Sequence, residues 1–193
     1  TNYEIGWKTS FWGGRAQFNG AIYQIDWETA QTGLFAPQLG FPNLQSFLTG
    51  PDYQVQGMEL NFVVEPMDGL LITAAGSYNK AELDSSPVFT NNNPASPTFG
   101  DPITESCLSF SGGVCTLSVP VTDIFGTPGT AMANAPELQF NIRARYEWSY
   151  GEYNPYVGAA LQYQDESYSS AIEVNRYTQP SWTTMDAAVG VGK

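Results

Sequence analysis

From Glu137 to Trp148 the chain reads E-L-Q-F-N-I-R-A-R-Y-E-W, and every second residue is apolar or aromatic: Leu138, Phe140, Ile142, Ala144, Tyr146 and Trp148. The residues between them, Glu137, Gln139, Asn141, Arg143, Arg145 and Glu147, are all polar or charged. Side chains alternate across a β-strand, so this stretch predicts a strand with one apolar and one polar face. It is longer than an ordinary strand of about 5–6 residues, and its apolar face ends in a Tyr/Trp pair. A strand that crosses a bilayer in a closed barrel needs about 9–11 tilted residues of this kind, bounded by aromatic side chains.

The same period recurs along the chain. Residues 2–11 place Tyr3, Ile5, Trp7, Thr9 and Phe11 on one face, and a tight turn is expected at Trp12-Gly13-Gly14. A second strand, about 15–27, alternates less cleanly but keeps Phe18 and Ile22 opposite Arg15, Gln17 and Asn19. The third, about 53–65, sets Met58, Leu60, Phe62 and Val64 against Glu59, Asn61 and Glu65. After the turn Pro66-Met67-Asp68-Gly69 the fourth, about 70–83, sets Leu70, Ile72, Ala74, Gly76 and Tyr78 against Thr73, Ser77 and Asn79. Beyond the fifth strand, residues 155–166 carry Val157, Ala159, Leu161 and Tyr163 on one face, and residues 182–192 carry Met185, Ala187, Val189 and Val191.

The connections alternate as well. Residues 12–14, 66–69 and 149–154 are short turns, whereas 28–52, 84–135 and 167–181 are longer and rich in Gly, Pro, Asn, Ser and Thr. In an antiparallel meander, alternate connections lie at opposite ends of the sheet. All short turns therefore share one end and all long loops the other, as in outer-membrane barrels. The expected fold class is all-β: about seven strands of an antiparallel transmembrane β-barrel. Seven strands do not close a bacterial barrel, whose single-chain forms use an even number from about eight upward, so the chain is expected to be part of a larger one.

Composition fits a surface divided between lipid and water. Charged residues make up only 13% and aromatics 14% of the 193 residues, with a net charge of -12 and no histidine. No apolar run is long enough for a membrane-spanning helix, which leaves open a crossing by strands. The first residues, T-N-Y-E-I-G-W, lack the pattern of a signal peptide, so an exported protein is represented here by a mature form or an internal piece. Seven scattered basic residues argue against a nucleic-acid partner.

Candidate chemistry is sparse. Without histidine the commonest general base and metal ligand is missing, there is no G-x-S-x-G elbow, and neither catalysis nor a cofactor or metal is expected. The adjacent carboxylates Asp165 and Glu166 point to opposite faces of a strand; solvation or calcium contact at a loop end outweighs acid–base work. Cys107 and Cys115, with seven residues between them in a Gly/Ser-rich segment, are read as a local disulfide, with two free thiols as the alternative.

Several phrases, in this order and spacing, resemble the TonB-dependent outer-membrane receptors: N-Y-E-I-G-W-K at 2–8, G-G-R-A-Q-F-N-G-A-I-Y-Q-I-D-W at 13–27 and V-Q-G-M-E-L at 55–60. P-M-D-G-L-L-I-T at 66–73, Y-N-K-A-E-L at 78–83, P-E-L-Q-F-N at 136–141, D-E-S-Y at 165–168 and D-A-A-V-G-V at 186–191 continue the series. The resemblance implies a 22-stranded barrel in a Gram-negative outer membrane, filled by an N-terminal plug that engages an energy-transducing partner. It implies that residues 1–193 form a C-terminal part of such a barrel, without the plug, the early strands or the final strands. Its partners would be membrane lipid, the plug, the TonB system and a small-molecule nutrient.

Within that frame Glu59, Glu65, Glu137, Arg143, Arg145 and Glu147 are the expected lumen-facing row. Wall stabilisation and plug contact are favoured there over ligand recognition. Tyr146 and Trp148 are expected at the periplasmic rim. Ligand contact falls to the long loops, where Phe35, Phe41, Phe47, Phe89, Phe99, Phe110, Phe125 and Tyr177 are candidate platforms and Arg176 is the sole cation of its loop; for any single aromatic, packing of the loop on itself is the stronger reading. No basic residue occurs between Lys80 and Arg143, so the expected ligand is neutral or weakly charged, or finds its cations elsewhere. The expected function is energised import of a scarce nutrient, with a ferric siderophore as the favoured instance. A non-energised porin or adhesin-like barrel and a soluble β-sandwich binding module are the rivals.

Overall fold

A computed structural model of the chain describes residues 1–35, 45–102, 104–112, 114–121, 125–170 and 176–193. Seven strands form one antiparallel sheet in chain order: β1 (Asn2–Phe11), β2 (Ala16–Trp27), β5 (Asp52–Met67), β6 (Leu70–Ser85), β9 (Leu138–Glu147), β10 (Asn154–Gln164) and β13 (Trp182–Gly192). Three two-stranded hairpins stand apart from it: β3 (Gln31–Phe35) with β4 (Gln45–Thr49), β7 (Thr104–Ser111) with β8 (Val114–Val121), and β11 (Ser167–Tyr168) with β12 (Thr178–Gln179). Among the described residues no helix is long and apolar enough to cross a membrane.

The seven sheet strands fall where period-two alternation places them. Residues 28–52 and 84–135, read from the sequence as irregular loops, differ: each contributes a hairpin, β3–β4 and β7–β8. The turn after β5 is also tighter than expected. β5 continues through Pro66 to Met67 by a register shift between Val64 and Met67, leaving Asp68-Gly69 as the reversal. A bulge is one of the few places where a strand accepts proline, which has no N–H for the ladder.

Register assigns every sheet residue to a face. Trp7 lies opposite Gly20, Phe18 opposite Phe62, Phe62 opposite Ala74, Ala74 opposite Ile142, Ile142 opposite Leu161 and Leu161 opposite Met185. The alternating apolar residues therefore join into one band across all seven strands. Nothing in the described residues covers that band: Ile5, Met185, Val189 and Val191 are 65–80% exposed. Buried apolar side chains among the described residues are few: Ala16, Ala30, Pro51, Ala81 and Leu83. A soluble domain buries its apolar face against a second layer; this sheet has one layer.

Apart from Ala16 at the short-turn end, these buried residues sit at the long-loop end. There residues 129–132 extend the sheet beside the last turns of β6, with Leu83 N–H donating to the Thr130 carbonyl and Met132 N–H to that of Ala81 (both 2.9 Å). Ala30 and Pro51 close the same end through Ala30 N–H to the Pro51 carbonyl at 3.1 Å.

Candidate functional site

On the face opposite the apolar band the sheet curls around a trough of about 820 Å³. Its lining comes from six adjacent strands and includes Glu4, Lys8, Asn19, Glu59, Asn61, Ser77, Gln139, Asn141 and Gln162. A single trough touching β1 through β10 requires that the sheet be concave on this face. Carboxylates, amides, a hydroxyl and one ammonium group give it hydrogen-bonding capacity of both signs.

Of the sequence-predicted polar row, Glu59 lines this trough. Arg145 and Glu147 form an ion pair of 2.7 Å near the short-turn end, and the Arg145 guanidinium lies 3.7 Å from the centre of the Tyr156 ring. Arg143 is on the same face, opposite Thr73 and Ala160. Glu65 and Glu137 lie at opposite ends of the sheet from each other. Glu65 N–H donates to the Arg15 carbonyl beside a turn where Arg15 pairs with Asp68, whereas the Glu137 carboxylate accepts from the Tyr78 hydroxyl at 3.4 Å. The row is thus spread along the wall rather than gathered into one ladder. Tyr146 and Trp148 stack at the short-turn end with ring centres 5.5 Å apart.

Among the loop candidates, Phe89 and Phe125 pack edge to face at 6.2 Å. Phe99 and Tyr177 are exposed, and Arg176 lies over the Tyr168 ring at 4.3 Å. Phe41 falls outside the described residues, as do the side chains of Phe35, Phe47 and Phe110. Cys107 and Cys115 stand on the two strands of one hairpin, their backbones paired with Ser118 and Phe110; their sulfur atoms are likewise outside the described residues. Asp165 accepts from Tyr163 O–H at 3.2 Å and from Glu166 N–H at 2.9 Å, a loop-end arrangement. Among the described residues no three Asp, Glu, Cys or His side chains are grouped to hold a metal.

The sequence reading missed an aromatic wall. On the concave face, between the trough and the long loops, Tyr23, Trp27 and Tyr53 follow one another, with Trp27 and Tyr53 at 6.1 Å and the Tyr23 hydroxyl bonded to the Asn79 side chain. The signal was present as the imperfect alternation of β2. Up to Ile22 its apolar residues face the band; from Tyr23 onward they face the trough, and Gln24 and Asp26 take the other side. β5 changes in the same way between Val55 and Met58, and β6 between Tyr78 and Ala81. Register aligns Ile22 with Met58 and Met58 with Tyr78, so the change of phase runs straight across three strands. Above it, at the rim, Asp52 accepts from Ser85 O–H (2.7 Å) and Thr29 N–H (2.6 Å). Those two bonds, the hydroxyl foremost, hold its carboxyl below the ordinary range.

A seven-stranded, one-layer sheet with an apolar outside and a polar concave inside is a sector of a barrel, and the family comparison agrees. The model for TonB-dependent receptor-like β-barrels matches residues 1–192. The chain belongs to that family. TonB-dependent receptors are outer-membrane β-barrels of Gram-negative bacteria, receptors and transporters rather than enzymes. Solved structures give the same fold. The siderophore receptor PiuA from Acinetobacter baumannii superposes with a TM-score of 0.63 at 21% identity over 96% of this chain. BauA, the ferric preacinetobactin receptor of the same organism, gives 0.61 at 14% over 97%, and the FrpB iron transporter from Neisseria meningitidis 0.57 at 12% over 96%. The chain spans only 21%, 22% and 23% of those three receptors. No curated protein sequence matches it.

Proposed function

We propose that the chain is a wall sector of an outer-membrane receptor that imports a scarce nutrient by TonB-dependent transport, with a ferric siderophore as the substrate class. The match of the receptor barrel model to residues 1–192 carries this reading, and the siderophore and iron receptors among its structural relatives support the substrate class. In it, residues 1–193 are part of a 22-stranded barrel, and the plug that engages TonB belongs to the rest of the protein. The apolar band meets lipid, the short turns face the periplasm and the long loops face outward.

The trough, with Glu59 inside it and Arg143, Arg145 and Glu147 below, is the surface against which the plug rests; Glu65 terminates that wall at the short-turn end, whereas the Glu137 carboxylate turns to Tyr78 on the outward face. Phe35, Phe41, Phe47, Phe89, Phe99, Phe110, Phe125, Arg176 and Tyr177 are the ligand-contacting candidates of the loops, and Cys107 and Cys115 belong to the β7–β8 hairpin of one of them. The wall between Lys80 and Arg143 supplies acids but no cation, so the ferric complex it admits is neutral or weakly charged; polyanions are met elsewhere by arginine clusters.

The test is uptake of radiolabelled ferric siderophores by iron-starved cells expressing the intact protein, with and without a functional TonB. Neutral or weakly charged complexes should accumulate only when TonB is present. Equal uptake in both strains would point to a passive pore, and selective uptake of a polyanionic chelate would remove the charge argument.

A further inference from the structure

The apolar band has a dent. Where Ala74 and Gly76 present little or no side chain, a groove of about 340 Å³ opens between walls that include Phe18, Met58, Phe62 and Phe140. Its lining is almost wholly apolar and comes from four neighbouring strands, mainly from their outward face. Tyr78 closes its upper end, at the line where the strands change phase.

Directly above that line the same outward face turns polar. Lys80 follows Tyr78 on β6 and lies opposite Gln56 on β5. Gln56 donates to Gln24 (3.4 Å) and Gln54 (3.3 Å), and Gln24 and Gln54 both donate to Asp26 (3.1 and 3.2 Å). The ammonium of Lys80 is held by Glu82 at 2.9 Å, and the Tyr78 hydroxyl reaches Glu137. The shelf thus offers amides, carboxylates and a phenol, and its one cation is already paired.

We propose that groove and shelf together seat one acylated saccharide lipid of the outer leaflet, an acyl chain lying in the groove over Gly76 and the sugar hydroxyls on the shelf around Gln56 and Tyr78. The proposal rests on the apolar band facing lipid. Continuity of the groove with that band makes a lipid chain the occupant, since a membrane offers nothing else at that depth. The shelf selects the headgroup: Asp26, Glu82 and Glu137 outnumber Lys80, which disfavours an anionic phosphate, whereas neutral hydroxyls can both donate to carboxylates and accept from amides.

The experiment is native mass spectrometry of the intact protein extracted from outer membranes in mild detergent. The wild type should retain one lipid whose mass and fragments identify an acylated saccharide. Ala74→Leu, which fills the groove, should lower the retained fraction at least tenfold. Gln56→Leu combined with Tyr78→Phe should lower it several-fold without reducing thermal stability, which keeps the test open should Ala74→Leu fold poorly. Ala187→Leu, on the same band but away from the groove, should change nothing. Retention of phospholipid instead, equal retention in all variants, or a lipid-free dimer would each overturn the proposal. Quenching of tryptophan fluorescence by lipids brominated on their acyl chains separates the two levels. Its absence sinks the lipid-facing assignment and the seat together; its presence without a retained glycolipid sinks the seat alone.

Discussion

At Gly69 a Cβ would run into the backbone carbonyl of Glu147, the same residue whose N–H donates to the Gly69 carbonyl at 2.8 Å. The position also has φ of 80°, where an L side chain is strained. Neither neighbour can retreat without breaking the β6–β9 ladder. Gly69→Ala is therefore expected to cost about 1–3 kcal/mol, seen as a lower thermal midpoint of the intact protein in detergent. Gly20 makes a useful contrast. Its Cβ would meet the Trp7 ring across the strand pair, and a ring can swing aside, although the Glu59 carbonyl at 2.9 Å also crowds the site. For Gly20→Ala the sharper readout is a shift in tryptophan emission as Trp7 leaves its place. Gly69 was legible in the sequence as the glycine of an Asp-Gly turn. Gly20 was not, because close approach across a register is invisible until the register is known.

Among the elements, the seven sheet strands were readable because each keeps period-two alternation over most of its length, even where β2, β5 and β6 change phase. The hairpins β3–β4 and β7–β8 were not. Their apolar residues are diluted by Thr, Ser and Gln, so neither face is consistently apolar, and composition alone reads as loop. A sharper signal existed in Gly112-Gly113, a glycine pair between two runs that each contain Cys, Leu and Val or Phe. These outlying hairpins share no ladder with the main sheet, which makes them separable from it. Replacing residues 87–126 by a short Gly/Ser linker keeps the 129–132 segment that pairs with β6. The shortened protein is expected to insert and to keep the thermal midpoint of the parent, while siderophore uptake falls at least tenfold. Loss of the folded barrel would instead mean that the loop supports the wall.

At the scale of the whole molecule, the two faces give a labelling pattern with period two. In β13, cysteines introduced at 185, 187, 189 and 191 of the intact protein should react with membrane-soluble maleimides and resist charged ones. Cysteines at 184, 186, 188 and 190 should show the reverse unless the plug covers them. A uniform response along β13 would be incompatible with a wall that separates lipid from an interior. The general architecture was available from the sequence because alternation and loop asymmetry are properties of the chain. The shape of the concave site was not, since Asn141 and Gln162 meet only through the β9–β10 register and Glu59, two strands away from Asn141, joins them only by curvature. Nor was the aromatic wall, whose residues look out of phase until register aligns the same change of phase across β2, β5 and β6.

The straight line at Ile22, Met58 and Tyr78 makes the upper part of the wall an inverted version of the lower. Below it the greasy side is outside; above it Tyr23, Trp27 and Tyr53 put the greasy side within. A solute moving down this sector would shed part of its hydration against the aromatic collar before meeting the amides and carboxylates beneath. Under the proposed import function, such a collar would favour compounds with an oily exterior, whatever polar groups they later present to the interior.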